Sequence, residues 1–320
     1  AADARALAED LEALGPTFLK LGQLLSTRAD LFPRPYLDAL ARLQDDVEPF
    51  PFEEVERIVS AALGVRLSKA FASFEERPIG SASLGQVHRA QLRDGRPVVV
   101  KVQRPDLRER IVDDMEAIEE IAALADRHTE AGRRLGFADM VEEFRRSLLD
   151  ELDYRREAAN LESLRADLAD HDRIVIPAPV PDYSTTRILT MDRVVGTGVA
   201  ALSGVRRTEL DGRDLAEALF EAYLDQILLH GRFHADPHPG NVLVTDDDRL
   251  ALLDLGMVGR IAPALQDRLV KLLLAVGEGR GRDAADVAID LGRELDGFDA
   301  EAFRRRAAQL VERHRSLTLG

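Results

Sequence analysis

The 320-residue chain contains no cysteine. That excludes disulfides, thiolate zinc sites, iron–sulfur clusters and cysteine nucleophiles together. Long apolar runs are missing too: stretches such as Leu272-Leu273-Leu274-Ala275-Val276 are short, whereas a spanning helix needs ~20 apolar residues. No basic stretch followed by an apolar block opens the chain, so no secretory signal is expected in it. Positive charge is in deficit. Lys and Arg number 43 against 58 Asp and Glu, for a net charge of −15 and a pI near 5.0. Such a chain does not hold nucleic acid by general charge attraction. Internal repeats and low-complexity tracts are absent. What remains is 45% hydrophobic and 32% charged, the balance of a soluble globular chain able to build a sizeable core. The length suits one large or two medium domains.

The first third has helical texture. Apolar residues recur at three- and four-residue steps from Asp3 to Leu14 and from Pro16 to Arg28. Pro16 suits a first helical turn, where its missing N–H costs nothing. Pro33 and Pro35 break the pattern, and a further helix is expected from Phe52 to Leu63, ending at Gly64. The texture changes at about Glu76. Val87–Leu92 alternates in two-residue steps, Pro97–Val102 is β-branched, and Asp94-Gly95 between them is a strong hairpin signal. A helical region follows from Pro105 to about Asp170, interrupted near Gly132 and Gly136. Arg187–Val194 is the next strand candidate and leads into Gly196 and Gly198. Helix is expected from Arg213 to His230, a hairpin from Val242–Val244 and Leu250–Leu253 around Asp246-Asp247-Asp248, and helix from Pro263 onward. This order suggests a two-lobed α+β architecture.

The segment His234-Ala235-Asp236-Pro237-His238-Pro239-Gly240-Asn241 places an Asp five residues before an Asn, on a loop between helix and strand. This fits the catalytic loop of kinases, whose Asp accepts a hydroxyl proton while the Asn oxygen binds magnesium. A capped turn would use the same residue types. Downstream, Asp254-Leu255-Gly256 resembles the D-F-G element, whose Asp presents oxygens to magnesium. Upstream, Gly80-Ser81-Ala82-Ser83-Leu84-Gly85-Gln86-Val87 fits G-x-G-x-x-G-x-V with Ala82 at the second glycine; small residues let backbone N–H groups approach phosphates. The following hairpin delivers Lys101 at the end of Val98-Val99-Val100, where kinases keep the lysine that touches phosphates. Such a lysine normally pairs with a helical carboxylate. On one continuous helix Asp153 and Glu157 would share a face, which a cation or lysine between them would explain, whereas Glu151 with Arg155 would be an ordinary surface pair. Glu116, Glu119 and Glu120 are rivals that spacing does not dismiss. His234 and His238 stand i,i+4, but the prolines between them forbid the helix that would align them on zinc, so structural histidines are expected.

Together these elements resemble the UbiB/AarF family of atypical protein-kinase-like proteins, over nearly the whole chain. Two family signatures carry the resemblance: K-x-G-Q as Lys20-Leu21-Gly22-Gln23, and E-x-D as Glu151-Leu152-Asp153. It implies a two-lobed kinase-like fold, with an N-terminal helical extension (1–75) covering the active site, an N-lobe (76–194) and a C-lobe (195–320). It also implies that the K-x-G-Q helix contacts the E-x-D segment and that Glu157 pairs with Lys101. The expected catalytic residues are Asp236, Lys101 and Glu157. ATP or ADP would be held by Gly80, Ser81, Ala82, Ser83, Gly85, Val87, Lys101 and Met191, and magnesium by Asn241 and Asp254. Lys20, Gln23, Glu151 and Asp153 would be regulatory.

Ala235 replaces the Arg of H-R-D, so no arginine stands there to receive an activation-loop phosphate. Six residues, Met257–Ala262, precede Pro263, and no A-P-E element follows. That leaves little chain for a peptide-docking platform. The expectation is ATP binding with magnesium and slow hydrolysis or phosphoryl transfer to a small or lipid-like acceptor, not to proteins. The resemblance adds isoprenoid quinone or lipid metabolism; the domain is expected in the cytoplasm, peripheral to a membrane or anchored to one by segments outside this chain. Two alternatives stand beside it: a small-molecule kinase of the aminoglycoside or choline type, and a catalytically silent nucleotide-binding scaffold.

Overall fold

The computed structural model describes residues 2–43, 47–292 and 297–317. The chain divides into two compact units, one of Ala1–Glu162 with Pro177–Val195, the other of Ser163–Ile176 with Gly196–Gly320.

The first unit opens with α1 (Ala2–Leu14), α2 (Pro16–Ser26) and α3 (Arg34–Leu40). The helical pattern breaks between Ser26 and Arg34, and the prolines also start α3. Pro33 caps it and Pro35 lies in its first turn, where a missing N–H leaves no helical bond unmade. Helix α4 (Phe52–Leu63) ends, as expected, at Gly64 with φ 70°. A short α5 (Leu67–Ala70) runs straight into β1 (Phe71–Phe74), so the sheet begins ahead of Glu76. Then come β2 (Gly80–Ser81), β3 (Gly85–Leu92) and β4 (Pro97–Gln103). After the excursion that carries β5 (Ile174–Val175) into the second unit, β6 (Ile188–Asp192) completes the sheet. Its order is β1-β3-β4-β6 with β2 against β3, every pair antiparallel. The β3–β4 turn is Asp94-Gly95, with Gly95 at φ 90°, a conformation glycine adopts without strain.

Strand β4 has two faces because side chains alternate along a strand. Val98, Val100 and Val102 are fully buried and pack in one cluster with Val55, Ile58 and Val59 of α4. Each contributes about 1.5 kcal/mol or more by burial. The other face carries Val99 and Lys101.

The long helical region expected from Pro105 is four helices among the described residues: α6 (Leu107–His128), α7 (Glu130–Leu135), α8 (Phe137–Glu151) and α9 (Tyr154–Asp167). It breaks at Thr129, at Gly136 (φ 66°) and, unexpectedly, at Leu152-Asp153. Leu84, Ile111, Met115, Ile118, Phe144, Leu148 and Leu152 form a second core, against which Phe18 and Leu21 of α2 pack.

The second unit has a sheet of order β5-β10-β9-β7, made of β5, β7 (Gly196–Gly198), β9 (Val242–Thr245) and β10 (Leu250–Leu252). Strand β10 pairs parallel with β5 and antiparallel with β9. A separate two-stranded ladder joins β8 (Arg232–His234) to β11 (Val258–Arg260). Helices α10 (Gly204–Glu209) and α11 (Gly212–Asp225) precede β8, and α12 (Pro263–Gly277), α13 (Gly281–Leu291) and α14 (Ala300–Leu317) follow β11. The helix expected from Arg213 to His230 starts where Asp211 accepts from the Arg213 and Asp214 N–H groups. It changes at Gln226 to a wider π-type turn that stops at Gly231 (φ 63°). The expected hairpin forms as β9–β10, with Asp248 at φ 58° in its turn. Helix runs from Pro263 as expected, with residues 293–296 and 318–320 lying outside the described residues.

Candidate active site

In the first unit, strand register assembles one row of candidates. Val87 of β3 pairs with Lys101 of β4, and Lys101 with Leu189 of β6. Met191 pairs with Val99 one step along. Cross-strand partners share a face, so Val87, Lys101, Leu189 and Met191 stand together, opposite the face that buries Val100. Lys101 Nζ lies 2.8 Å from Glu157 Oε2, with the lysine side chain 20% exposed and the glutamate 5%. The ammonium also stands 5.1 Å from the centre of the Tyr154 ring, within cation–π range. Among the rival acids, Glu116 and Glu120 are exposed and Glu119 pairs with Arg145 at 3.4 Å.

The E-x-D residues part company at the break between α8 and α9. Glu151, the last residue of α8, accepts from Lys20 Nζ of α2 at 2.6 Å. Asp153 precedes α9 and turns to Arg155: its Oδ1 accepts the Arg155 N–H at 3.2 Å and Nε at 2.9 Å, and its Oδ2 accepts Nη2 at 2.7 Å. The Arg155 hydrogen bonds hold the Asp153 carboxyl below its ordinary pKa. Two expectations are thereby corrected. Asp153 and Glu157 do not share a face around one cation, because the helix stops between Glu151 and Tyr154. Arg155 pairs with Asp153 rather than with Glu151. Gln103, buried on β4, donates to the Leu152 carbonyl at 2.9 Å and ties this break to the sheet.

Within K-x-G-Q the positions divide their work. Lys20 makes the ion pair and Leu21 packs on the α6–α8 core. Gly22 is buried where a Cβ would collide with Leu43 Cδ1 and stand 3.2 Å from Leu11 Cδ1. Its smallness is a packing requirement of α2. Gln23 follows, half-buried.

The small-residue loop is a tight turn. Gly80 and Ser81 pair with Val87 and Gln86, and the Ala82 N–H donates to the Gly85 carbonyl at 2.7 Å. Ser83 and Leu84 are buried. Arg104 clamps the turn, donating to the Ala82 carbonyl at 2.9 Å and Ser81 Oγ at 3.1 Å. A Cβ on Gly85 would sit 2.5 Å from the Val102 carbonyl oxygen and 2.7 Å from the Tyr154 hydroxyl, whereas one on Gly80 would meet nothing within 4 Å. Internal packing therefore accounts for Gly85, but not for Gly80.

In the second unit, two short ladders bring the remaining candidates to one place. Val242 pairs with Leu252, and the Leu253 N–H donates to the Asn241 carbonyl at 3.0 Å. Asn241 and Asp254 thus lie at the same end of the β9–β10 hairpin. The β8–β11 ladder pairs His234 with Val258 and continues with the Ala235 N–H on the Met257 carbonyl at 3.0 Å, which sets Asp236 beside the chain that leaves Asp254. The Gly256 N–H donates to Asp254 Oδ1 at 3.0 Å. His238 Nδ1 accepts from the Gly240 N–H at 3.1 Å, a turn cap. His234 is buried. Burial pushes its pKa down, against the raising influence of the Met257 carbonyl and of the Asp254 and Asp236 charges.

Among the described residues no group of three or more His, Asp or Glu stands together as a metal cage. Magnesium needs none: it takes one or two protein oxygens and completes its shell with water and phosphate oxygens. One amide oxygen and one carboxylate at the hairpin end fit that demand.

Sequence reasoning missed Tyr154, Gln103 and Arg104. Tyr154 directly follows the E-x-D acid and Arg104 follows the Lys101 strand, which is the one local hint either offered. Gln103 carried none.

A family model described as the ABC1 atypical kinase-like domain matches residues 42–288. The chain is 39% identical over 299 residues to the chloroplastic protein ACTIVITY OF BC1 COMPLEX KINASE 7 of Arabidopsis thaliana, covering 93% of this chain and 43% of that one. It is 39% identical over 285 residues to the probable protein kinase UbiB of Cellvibrio japonicus, covering 88% of this chain and 52% of the relative. The chain therefore spans about half the length of these curated relatives. The solved structure of Rv3197 with erythromycin, from Mycobacterium tuberculosis, matches with a TM-score of 0.67 at 29% identity, covering 87% of this chain and 70% of that one.

Proposed function

This chain belongs to the ABC1 atypical kinase-like family and has a kinase-like fold, and from that premise we propose that it binds ATP with magnesium and hydrolyses it or transfers its phosphoryl group to a small or lipid-like acceptor. Lys101, oriented by Glu157, neutralises phosphate oxygens, and the backbone of residues 80–85 with Val87 and Met191 receives the rest of the nucleotide. Asn241 and Asp254 hold the metal, which when bound offsets the charge on the phosphates. Asp236 accepts the proton of the attacking hydroxyl or water. Residues 1–75 act as an extension of a catalytic domain whose parts are 76–194 and 195–320. Lys20, Gln23, Glu151 and Asp153 tune nucleotide use rather than touch the reacting atoms.

The observation that carries this reading is the gathering of Asp236, Asn241 and Asp254 by two independent ladders. A merely structural turn has no need of these three residue types on main-chain segments that the ladders hold side by side. Protein substrates are disfavoured because β11 and α12 follow Asp254-Leu255-Gly256 almost at once, leaving little chain to dock a peptide. The relatives named UbiB support a role in quinone biosynthesis. Among the described residues no helix is long and apolar enough to cross a membrane; action at or near a membrane surface is part of the proposed reading. The test is calorimetric titration with ATP, with and without magnesium, on the unaltered chain and on Asp254→Asn. Magnesium-dependent binding lost in the variant supports the reading; identical curves remove Asp254 from the site.

A further inference from the structure

The turn Gln226–His230 between α11 and β8 is of π type. Such turns cost helical stability and recur where they re-aim a side chain at functional sites. Here the re-aimed side chain is Gln226, wholly buried. Its Nε2 donates to the Ala222 carbonyl at 3.1 Å, and its Oε1 accepts the backbone N–H of His234 at 2.9 Å. Successive N–H groups of a strand point to opposite edges. The Ala235 N–H goes to Met257 on the β11 side, so the His234 N–H faces the other edge of β8, where no strand pairs among the described residues. A buried N–H left there without an acceptor would carry the full penalty of its lost hydration.

The turn is braced from behind. Gln266 of α12 donates through Nε2 to the carbonyls of Ile227 at 3.1 Å and Leu228 at 3.2 Å. The Gly231 N–H returns to the Gln226 carbonyl, and the Ile261 N–H donates to the Gly231 carbonyl at 2.8 Å. Tyr223, three residues before Gln226 and so on the same helical face, has a buried, unpartnered hydroxyl. Its pKa is pushed up to about 12 by burial and then by the Asp236 charge. That face of α11 therefore backs the Asp236 loop.

We propose that Gln226 is a positioning residue for Asp236: its amide oxygen fixes the main chain at His234, two residues earlier, and so sets where the Asp236 carboxylate stands. The proposal rests on the reading of Asp236 as the proton acceptor, and its experiment has one arm that does not. In that arm, amide hydrogen exchange of the peptide 232–241 is compared in the nucleotide-free chain and two variants. Gln226→Met removes the amide with little change of shape, and exchange is expected to quicken about tenfold or more there but not in β9–β10. Gln226→Glu keeps an oxygen for the His234 N–H and should stay near the unaltered rate. In the second arm, Gln226→Met should lower kcat for ATP by about 10–100-fold, the scale for sub-ångström to 1 Å misplacement, with nucleotide Kd unchanged, and Gln226→Glu should recover most of it.

Unchanged exchange in a folded Gln226→Met chain overturns the clamp, and quickened exchange with unaltered kcat overturns its positioning role. If Gln226→Met does not fold, Gln266→Met loosens the same turn from behind. It should quicken exchange at 232–241 and lower kcat, and no change in either would sink the proposal. Should the unaltered chain neither bind nor hydrolyse ATP, the proposed function fails, while the exchange arm alone decides whether Gln226 holds the loop.

Discussion

The two compact units hold their candidate residues by opposite means. In the first, ion pairs span sequence separations of 56 residues for Lys101–Glu157 and 131 for Lys20–Glu151. In the second, Asp236, Asn241 and Asp254 fall within one stretch whose main chain is placed by the β8–β11 and β9–β10 ladders. A charge removed from the first unit is part of the scaffold. A charge removed from the second leaves the ladders intact. Substitutions should therefore damage stability and function together in one unit and separately in the other.

The largest effect tests the second unit. Asp236→Asn is expected to cut ATP turnover by about 100- to 10,000-fold, the range for a general base, while the melting temperature moves by no more than about 2 °C. A large drop in melting temperature would show that the carboxylate supports the loop. In the first unit, Glu157→Gln removes the carboxylate that meets Lys101 at 2.8 Å and is expected to cost on the order of 2 kcal/mol, the scale of a hydrogen bond to a charged group, read as a lower urea midpoint. Adding Lys101→Met should recover part of the loss; strictly additive losses would mean that the pair is not coupled.

Gly22→Ala sharpens the contrast inside the first unit. Its methyl would press on Leu43, an overpacking worth about 1 kcal/mol because the far end of a leucine can yield. Gly80→Ala, facing open space, should stay within about 0.5 kcal/mol in stability while weakening nucleotide binding. Equal stability losses at the two glycines would contradict the packing account of Gly22.

Acid sensitivity is also a small effect, and among the described residues each unit holds one buried histidine. His88 Nδ1 donates to the Glu75 carbonyl at 2.8 Å and Nε2 accepts from Gln86 at 2.9 Å, a tautomer the network requires. Gln86 in turn accepts the Phe50 N–H at 3.0 Å. Protonated His88 would present a donor to Gln86 and break that chain. Burial depresses the pKa of both His88 and His234. The unfolded chain then binds more protons below pH ~6.5, so stability is full above that pH and declines as pH falls, by at most about 0.8 kcal/mol per histidine at pH 6. Urea midpoints at pH 7.5 and pH 6 check this. A midpoint that held or rose in acid would contradict the assignment of both rings as neutral.

Where a feature depends on neighbours in sequence, it was legible there. The hairpin at Asp94-Gly95, the end of α4 at Gly64, the start of α12 at Pro263, and the spacing of Asp236, Asn241 and Asp254 all follow from turn chemistry and strand period. The two- and three-residue strands β5, β7, β8 and β11 were not legible, since so few residues show no period. The role of Gln226 was equally hidden, because a buried glutamine in an apolar helical pattern looks like any other polar interruption.

By itself the sequence determined the longer strands, their hairpin turns and most of the helices, and which side chains have the right chemistry. Spacing alone left open which acid meets Lys101; the resemblance pointed to Glu157, and the tertiary structure shows that pair. Glu116, Glu119, Glu120, Asp153 and Glu157 are chemically near-equivalent, and the choice came from where α8 stops, how α9 restarts and which carboxylate the packing of Tyr154 and β4 brings within 2.8 Å. Local conformation is set by a residue and its immediate neighbours. Ion pairing across a folded chain is set by the burial of everything in between.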